Sequence, residues 1–459
     1  MRTGWPRFWR MIWRWRPTAL ERRRMPRLLH LGLGNFHRAH QAWYTARANA
    51  FDGPMWHITG IAMRNAALRD AMGTQGGRYV LGIRGPEGLR VDQIAVHDRV
   101  LVASEDAGAV LDAIADPDMR IITVTVTEKG YHLGDGGLDL DAPEIAADLT
   151  SDVPQTAIGL LARGLARRFQ AGADPVTVIS CDNISGNGGK LAAAVTAFAR
   201  AAGDQIDPAT TFPDTMVDRI TPATSAEIRA EIAAVTGQPD AAPVMTEAFS
   251  EWVIEDRFAG PRPDWHRVGV EITPDVAPFE KRKLRMLNAA HSWLAYSGQL
   301  AGHRYVHEAM ADGELRAGVE ALWDEAARTL PDALAPTLPA YRAALIQRFE
   351  VAEMRHELAQ IGMDGSLKLR ERLVPILTGL EGDAPQTIRA IAAWVVFISQ
   401  TVAEGRDIAD PKAEALVQAV RDNLAAPVPA LAQHIGLGDA PQGWTRAIAR
   451  AVADYPTNS

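Results

Sequence analysis

The sequence predicts an α/β domain with a mostly parallel sheet over residues 27–275, followed by a mainly α-helical domain over 276–459. Three observations carry that prediction. Short β-branched runs alternate with helical patterns in the first part, a Gly-x-Gly turn directly follows the first run, and Ala/Leu/Arg-rich stretches with helical spacing fill the chain from about Phe279. Strands that alternate with helices form parallel sheets through crossover connections.

The elements follow in order. Arg27–Leu33 (RLLHLGL) is a short apolar run leading into glycines, which suits a buried strand. Trp56–Met63 (WHITGIAM), Arg120–Thr127 (RIITVTVT) and Pro175–Cys181 (PVTVISC) repeat the pattern, with helical patterns at Ala109–Ala115 and Ile158–Gln170. In such sheets ligands bind beyond the carboxyl ends of the strands. A Pro-rich polar stretch within Gly260–Val276 marks the boundary, and Pro331, Pro336, Pro339, Pro375, Pro385 and Pro427–Pro429 divide the helical part.

Before this body stands a segment of different character, residues 1–26. The first 27 residues hold nine arginines and one glutamate, with Trp5, Trp9, Trp13 and Trp15 among them. Arginines interrupt every apolar run, so the segment is neither a signal peptide nor a spanning helix. It reads as a disordered tail or as the product of an upstream start, with Met25 the true first residue; a basic Trp-rich helix lying on an anionic membrane is the alternative.

Composition bounds the function. The chain has 459 residues, 47% hydrophobic and 23% charged, with a formal charge of −8. That length buries a large core without staples, and the acidic balance argues against a general nucleic-acid binder. Cys181 is the only cysteine, so an intrachain disulfide and a thiolate zinc site are both ruled out. The expectation is small-molecule chemistry in the reducing cytoplasm, with no bound metal and no stable membrane association.

Gly32-Leu33-Gly34-Asn35-Phe36-His37 follows the first strand directly. The first two glycines of a dinucleotide fingerprint allow the tight turn and the close approach of a pyrophosphate to a helix N-terminus. His37 stands where the third glycine belongs, so the match is partial. No acidic residue ends the second strand; Arg64 is there instead, able to stack on adenine or meet a 2′-phosphate. NAD and NADP both stay open on these residues.

Phe279–His291 (FEKRKLRMLNAAH) reads as a helix. At about 100° per residue, Asn288 lies about 140° and His291 about 80° from Lys283, so the three share one broad face. Oxidation of an alcohol needs a base for the hydroxyl proton and donors for the developing alkoxide. A desolvated lysine can be that base, and an Asn amide a neutral donor. On spacing alone the signal is weak, because Lys, Asn and His on a helix are more often solvent-facing surface residues. No tyrosine is followed four residues later by lysine, which removes the tyrosine-dependent short-chain dehydrogenase pair and leaves a lysine base as the remaining option for a dehydrogenase.

Seven blocks, in order, resemble the mannitol dehydrogenase family of polyol-specific long-chain dehydrogenases. They are His30–Thr45 (HLGLGNFHRAHQAWYT), Thr125–Leu133 (TVTEKGYHL), Ser180–Gly189 (SCDNISGNGG), Phe212–Thr224 (FPDTMVDRITPAT), Glu251–Phe258 (EWVIEDRF), Lys283–Tyr296 (KLRMLNAAHSWLAY) and Met363–Lys368 (MDGSLK). The resemblance implies a Rossmann-type N-terminal domain, a helical C-terminal domain, an active site between them and metal-independent hydride transfer with NAD, NADP not being excluded. By position Lys283 resembles the general acid/base, Asn288 and Asn183 the pair that polarises the substrate oxygen, and His291 and Asp218 substrate contacts. Glu280 resembles the carboxylate that exchanges protons with solvent. Gly32, Gly34, Phe36 and Glu128 belong to cofactor-side motifs. Without the resemblance, Asp218 reads as a partner for Arg219, and Asn183 as a turn residue.

The substrate implied is a small sugar acid or polyol. Thr-Glu-Lys-Gly-Tyr at 127–131, and Gln360 eight residues before Lys368, look like the fructuronate reductases (D-mannonate oxidoreductases). A hexuronate carboxylate needs a cation, which Lys368, Arg370 or Arg372 can supply. Mannitol/fructose or another pentitol or hexitol such as arabinitol is the second expectation and a tagaturonate-like substrate the third; a non-catalytic dinucleotide-binding regulator is the remote alternative. The family resemblance favours a monomer.

Overall fold

The structure, a computed structural model, describes residues 25–134 and 136–456. The basic N-terminal segment up to residue 24 lies outside the described residues. The chain forms two compact units, one reaching to Val276 apart from Gly85–Gly88, the other made of those four residues and the chain from Ala277 onward.

The first unit carries thirteen named strands: β1 (Arg27–Leu31), β2 (His57–Ala62), β3 (Tyr79–Gly85), β4 (Gly88–Ile94), β5 (His97–Val102), β6 (Met119–Val124), the short ribbon β7 (Leu133–Gly134) and β8 (Gly137–Leu138), β9 (Thr177–Ser180), β10 (Thr215–Asp218), β11 (Val244–Glu247), β12 (Glu251–Glu255) and β13 (Glu271–Thr273). Five of them make the central sheet in the order β5-β2-β1-β6-β9, with every pair parallel. Numbered by their appearance in that sheet, the order is 3-2-1-4-5, that of the doubly wound dinucleotide-binding fold. The direction of winding reverses between β1 and β6, which places the ligand crevice at the loops following those two strands. β10, β12 and β13 form a second sheet, antiparallel between β10 and β12, and β11, β3 and β4 a third.

The central strands are apolar on both faces because helices cover both. In β1, Leu28, His30 and the residues between and after them are buried. Helices α1 (Asn35–Ala39) and α2 (Gln41–Ala48) follow β1, and α3 (Ala107–Ala115), α4 (Ala157–Gln170) and α5 (Asn187–Ala201) supply crossovers. Asp106 and Thr156 cap α3 and α4 by accepting from backbone N–H groups in the first turn.

The second unit is helical. It begins with α6 (Ala277–Arg282), passes through a π-helical segment, Lys283–Asn288, and continues as α7 (Ala289–Leu300). Around α7 stand α8 (Gly313–Ala327), α9 (Leu338–Phe349), α10 (Leu358–Gly362), α11 (Gly365–Arg372) and α12 (Pro385–Ala403). Every residue of α7 from Ala289 to Gly298 is buried, the mark of a helix enclosed by neighbours. Pro339 and Pro385 sit in the first turns of α9 and α12, where a missing N–H costs nothing. Among the described residues no helix is long and apolar enough to cross a membrane.

Candidate active site

In the first unit the site is a rim of loops at the carboxyl edge of the sheet. Gly32 leaves β1 with φ +94°, and a Cβ there would stand 1.9 Å from the Thr125 carbonyl oxygen. Only glycine fits. Gly34 differs: its φ is −135° and an added Cβ would meet nothing closer than 3.6 Å. It caps α1 without a side-chain hydrogen bond, so the first-turn N–H groups of α1 and the open space over Gly34 suit a pyrophosphate. Phe36 stacks on His40 at 4.9 Å and packs into the core.

His37, which replaces the third glycine, is buried and stacks on His30 at 3.5 Å. Its Nε2 lies 3.1 Å from that of His97, a bond that needs one ring nitrogen as donor and the other as acceptor. Burial holds His30 and His97 down to about 3 and His37 well below the ordinary histidine value. The three rings are therefore neutral packing elements. Arg64 is exposed just beyond β2, and the Ser104 hydroxyl donates to its carbonyl.

The loop after β6 meets the loop after β9. Glu128 is exposed on a 3-10 turn, Glu128–Tyr131, next to Thr127. Asp182 accepts from the N–H groups of Val126 (3.1 Å) and Thr127 (3.0 Å) and from the Tyr131 hydroxyl (2.8 Å). Asn183 follows at the exposed rim. Asn187 is fully buried and donates to the Asp182 and Thr215 carbonyls, tying this loop to β10. Asp218 ends β10, opposite Glu251 of β12. Neighbouring Arg219 donates to the Ala39 and Glu247 carbonyls and lies 4.4 Å from the Trp43 ring centre.

In the second unit the structure corrects the expected α-helix. The Ala289 N–H reaches the Leu284 carbonyl, an i→i−5 bond. With about 4.4 residues per turn in a π segment, Asn288 falls about 50° from Lys283 rather than 140°. Three α-helical steps later His291 returns to within about 10° of Lys283. The widened turn therefore aligns the three residues on one narrow stripe. It is pinned from outside: the Trp323 indole donates to the Met286 carbonyl at 3.0 Å, and Arg372 to the Asn288 carbonyl at 3.3 Å and the Ser292 hydroxyl at 3.2 Å. Glu280 and Lys283 are both partly exposed.

His291 is buried, with Phe349 at 4.9 Å and His356 at 5.1 Å between ring centres. Burial, with His356, Arg348, Arg372 and Lys368 nearby, keeps its pKa well below the ordinary value. Lys368 is half-buried; its Nζ donates to the Ile361 carbonyl at 3.2 Å and lies 3.9 Å from Asp364. Burial pushes Arg372 down to about 10. Arg370 is a correction: it is exposed and lies against Gly436 rather than beside this cluster. Arg348 and His356 were not anticipated, because nothing in their local sequence ties them to His291.

A parallel sheet with this order and turn is a dinucleotide-binding domain, and the stripe on the second unit offers an amine, a neutral amide and an imidazole for alcohol chemistry. Together they define a nicotinamide-dependent oxidoreductase. The chain belongs to the mannitol dehydrogenase family: the mannitol dehydrogenase Rossmann domain matches residues 26–267 and the mannitol dehydrogenase C-terminal domain residues 275–454. Members are NAD-dependent oxidoreductases acting on CH–OH groups, and this chain is one of them rather than a non-catalytic regulator. It is similar to D-arabinitol 4-dehydrogenase of Ralstonia nicotianae, 40% identical over 367 residues, 77% of this chain and 78% of that protein. D-mannonate oxidoreductase of Escherichia coli is 37% identical over 413 residues, 86% and 85% of the two chains. The ternary complex of Pseudomonas fluorescens mannitol 2-dehydrogenase with NAD and D-mannitol matches with a TM-score of 0.75 at 31% identity, over 94% of this chain and 95% of that one.

Proposed function

We propose that the chain interconverts D-mannonate and D-fructuronate with NAD, Lys283 acting as general acid/base. The aligned stripe of Lys283, Asn288 and His291 carries the reaction, and it exists because the segment is π-helical. The cations around His291 support the choice of substrate. Arg348, Lys368 and Arg372 all bear on that imidazole, so its surroundings are positive and suit a carboxylate better than a neutral polyol.

Bound NAD would supply the hydride acceptor for oxidation at the carbinol carbon and, reduced, the hydride donor for the reverse reaction. The first-turn N–H groups of α1 and the space over Gly34 would hold its pyrophosphate, with Arg64 toward the adenosine end and Glu128 on the cofactor side. Neutral Lys283 Nζ accepts the substrate hydroxyl proton, and Glu280, three residues before it, passes that proton to solvent. The Asn288 and Asn183 amides donate to the substrate oxygen as it gains charge. His291, neutral, offers one donor and one acceptor to neighbouring hydroxyls, and Asp218 accepts from another.

A polyol is the second reading, favoured by the bonds Lys368 already makes to Ile361 and Asp364. The test is an NADH-linked absorbance assay with D-mannonate, D-mannitol and D-arabinitol, each with NAD and NADP. A kcat/KM for D-mannonate at least tenfold above the others is expected; preference for either polyol rejects the sugar-acid reading. Lys283→Ala should cut turnover by several orders of magnitude with little change in NADH affinity, and near-normal turnover would remove Lys283 from its role.

A further inference from the structure

The most strained described backbone near the site is that of Thr127, with φ +66° and ψ +164°. A side chain rarely adopts this region, and holding it there costs about 1–3 kcal/mol unless the surroundings over-determine it. Here one carboxylate does so. Asp182 Oδ1 accepts from the Thr127 N–H, and Oδ2 accepts from both the Val126 N–H and the Tyr131 hydroxyl. Because Tyr131 has only one proton and donates it to Asp182, its oxygen accepts from the Ser180 hydroxyl, 2.5 Å away.

The same loop is tied to the glycine turn. Thr125 donates its N–H to the Leu31 carbonyl and its hydroxyl to the Gly32 carbonyl at 3.0 Å. The backbone of Asp182 is held in turn by buried Asn187. The loops that follow β6 and β9 are thus joined through the Asp182 carboxylate, and those that follow β1 and β6 through Thr125. On one side of the join stands Glu128, directly after Thr127. On the other stands Asn183, directly after Asp182.

We infer that Asp182 is a positioning residue for hydride transfer: it holds the strained 125–131 loop and thereby orients the Asn183 amide toward the reacting oxygen. Its carboxylate oxygens are engaged by these three protein donors. Burial raises the Asp182 pKa, and its bonds to Val126, Tyr131 and Thr127 oppose that rise, so the three donors favour the ionised acceptor the latch requires. Asparagine at 182 is close in shape, yet its amide nitrogen would point a donor at a donor on one side. The inference rests on the role proposed above for Asn183.

The experiment compares wild type, Asp182→Asn, Asn183→Ala and the double variant in kcat, and in the primary isotope effect with substrate deuterated at the carbinol carbon. The substrate is whichever of D-mannonate and D-mannitol turns over. Asp182→Asn should lower kcat about 100-fold and raise the isotope effect on kcat to its full value, because a misplaced donor slows hydride transfer itself. A merely structural loss reduces the active fraction and leaves the isotope effect where it was. On the Asn183→Ala background, Asp182→Asn should cost less than a further threefold. A kcat within threefold of wild type, an unchanged isotope effect, or fully multiplicative losses would each overturn the latch. Near-normal turnover of Asn183→Ala would instead remove Asn183 from the reaction, and with it the route by which Asp182 acts. Should Asp182→Asn not fold, Tyr131→Phe keeps the carboxylate and removes one bond. It should lower kcat five- to tenfold with the same rise in isotope effect, and no change in either rejects the inference.

Discussion

Two glycines two residues apart should fail in different ways when each is replaced by alanine. At Gly32 the added Cβ stands 1.9 Å from the Thr125 carbonyl oxygen, so that oxygen must retreat by about 1 Å to reach the shortest contact real Cβ atoms make. Thr125 cannot move that far and keep its bonds. Its N–H to Leu31 is 2.9 Å, its hydroxyl to the Gly32 carbonyl 3.0 Å, and His30 lies 2.9 Å from the same hydroxyl. Three hydrogen bonds at about 1 kcal/mol each, with about 1–2 kcal/mol for a positive φ on an L-residue, give about 4 kcal/mol. For a unit of this size that lowers Tm by about 12 °C. At Gly34 the backbone is already extended and the nearest atom to an added Cβ is 3.6 Å away. Gly34→Ala should therefore shift Tm by no more than about 3 °C, the cost of a poorer helix cap, while weakening NADH at least tenfold by filling the space over α1. Thermal scanning and NADH fluorescence titration separate the two. A Gly32→Ala protein within 2 °C of wild type would refute the clash argument, and unaltered NADH affinity in Gly34→Ala would refute the placement of the pyrophosphate.

Two further outcomes follow from buried charge. His30 and His97 are held down to about 3 by burial, so between about pH 6.5 and 3 the unfolded chain binds protons that the folded chain excludes. Stability is then complete above pH 6.5 and is lost as pH falls, by about 2 kcal/mol per ring between pH 7 and 5; equal urea midpoints at those two pH values would contradict it. Lys368→Met should raise KM for D-mannonate at least tenfold, leave KM for D-mannitol within twofold and leave NADH affinity alone. Parallel losses on both substrates would show that the ammonium does not read the carboxylate.

The order of the fold was legible wherever burial is two-sided. β1, β2, β6 and β9 each present an apolar run, since helices cover both faces of the sheet. β5 was missed because it opens on three polar residues, His97-Asp98-Arg99, two of them exposed, as expected of a sheet edge. The β3–β4 hairpin has a clear turn signal in Gly85-Pro86-Glu87-Gly88, but β4 is half-polar and both strands pair outside the central sheet. At the site, the ordered blocks drew attention to the segments around Lys283, Asn183 and Asp218. They could not reveal the π segment. Lys-Leu-Arg-Met-Leu-Asn is ordinary helix-forming sequence, and the donors that pin its carbonyls come from Trp323 and Arg372, 37 and 84 positions from their acceptors. The Asp182 latch is hidden for the same reason, its donors lying 51 to 56 positions away.

Those two hidden features share a physical logic. A π turn and a residue at φ +66° are both conformations the local sequence would leave if free to do so, toward an α-helix in one case and an extended loop in the other. Each persists because buried polar side chains from distant segments bond the backbone groups that the irregularity displaces, and each stands beside residues assigned to chemistry. Leaving Asp182 or Arg372 without its backbone partners would strand a buried polar group, which costs about 1–3 kcal/mol and more when it is charged. That penalty exceeds or matches the local preference for regular structure, so the irregular backbone is the lower state of the whole fold. The backbone beside Asn288 and Asn183 is thus held by groups from distant segments. It follows that Arg372→Lys, which keeps the charge but loses the planar fork, should disturb turnover more than folding.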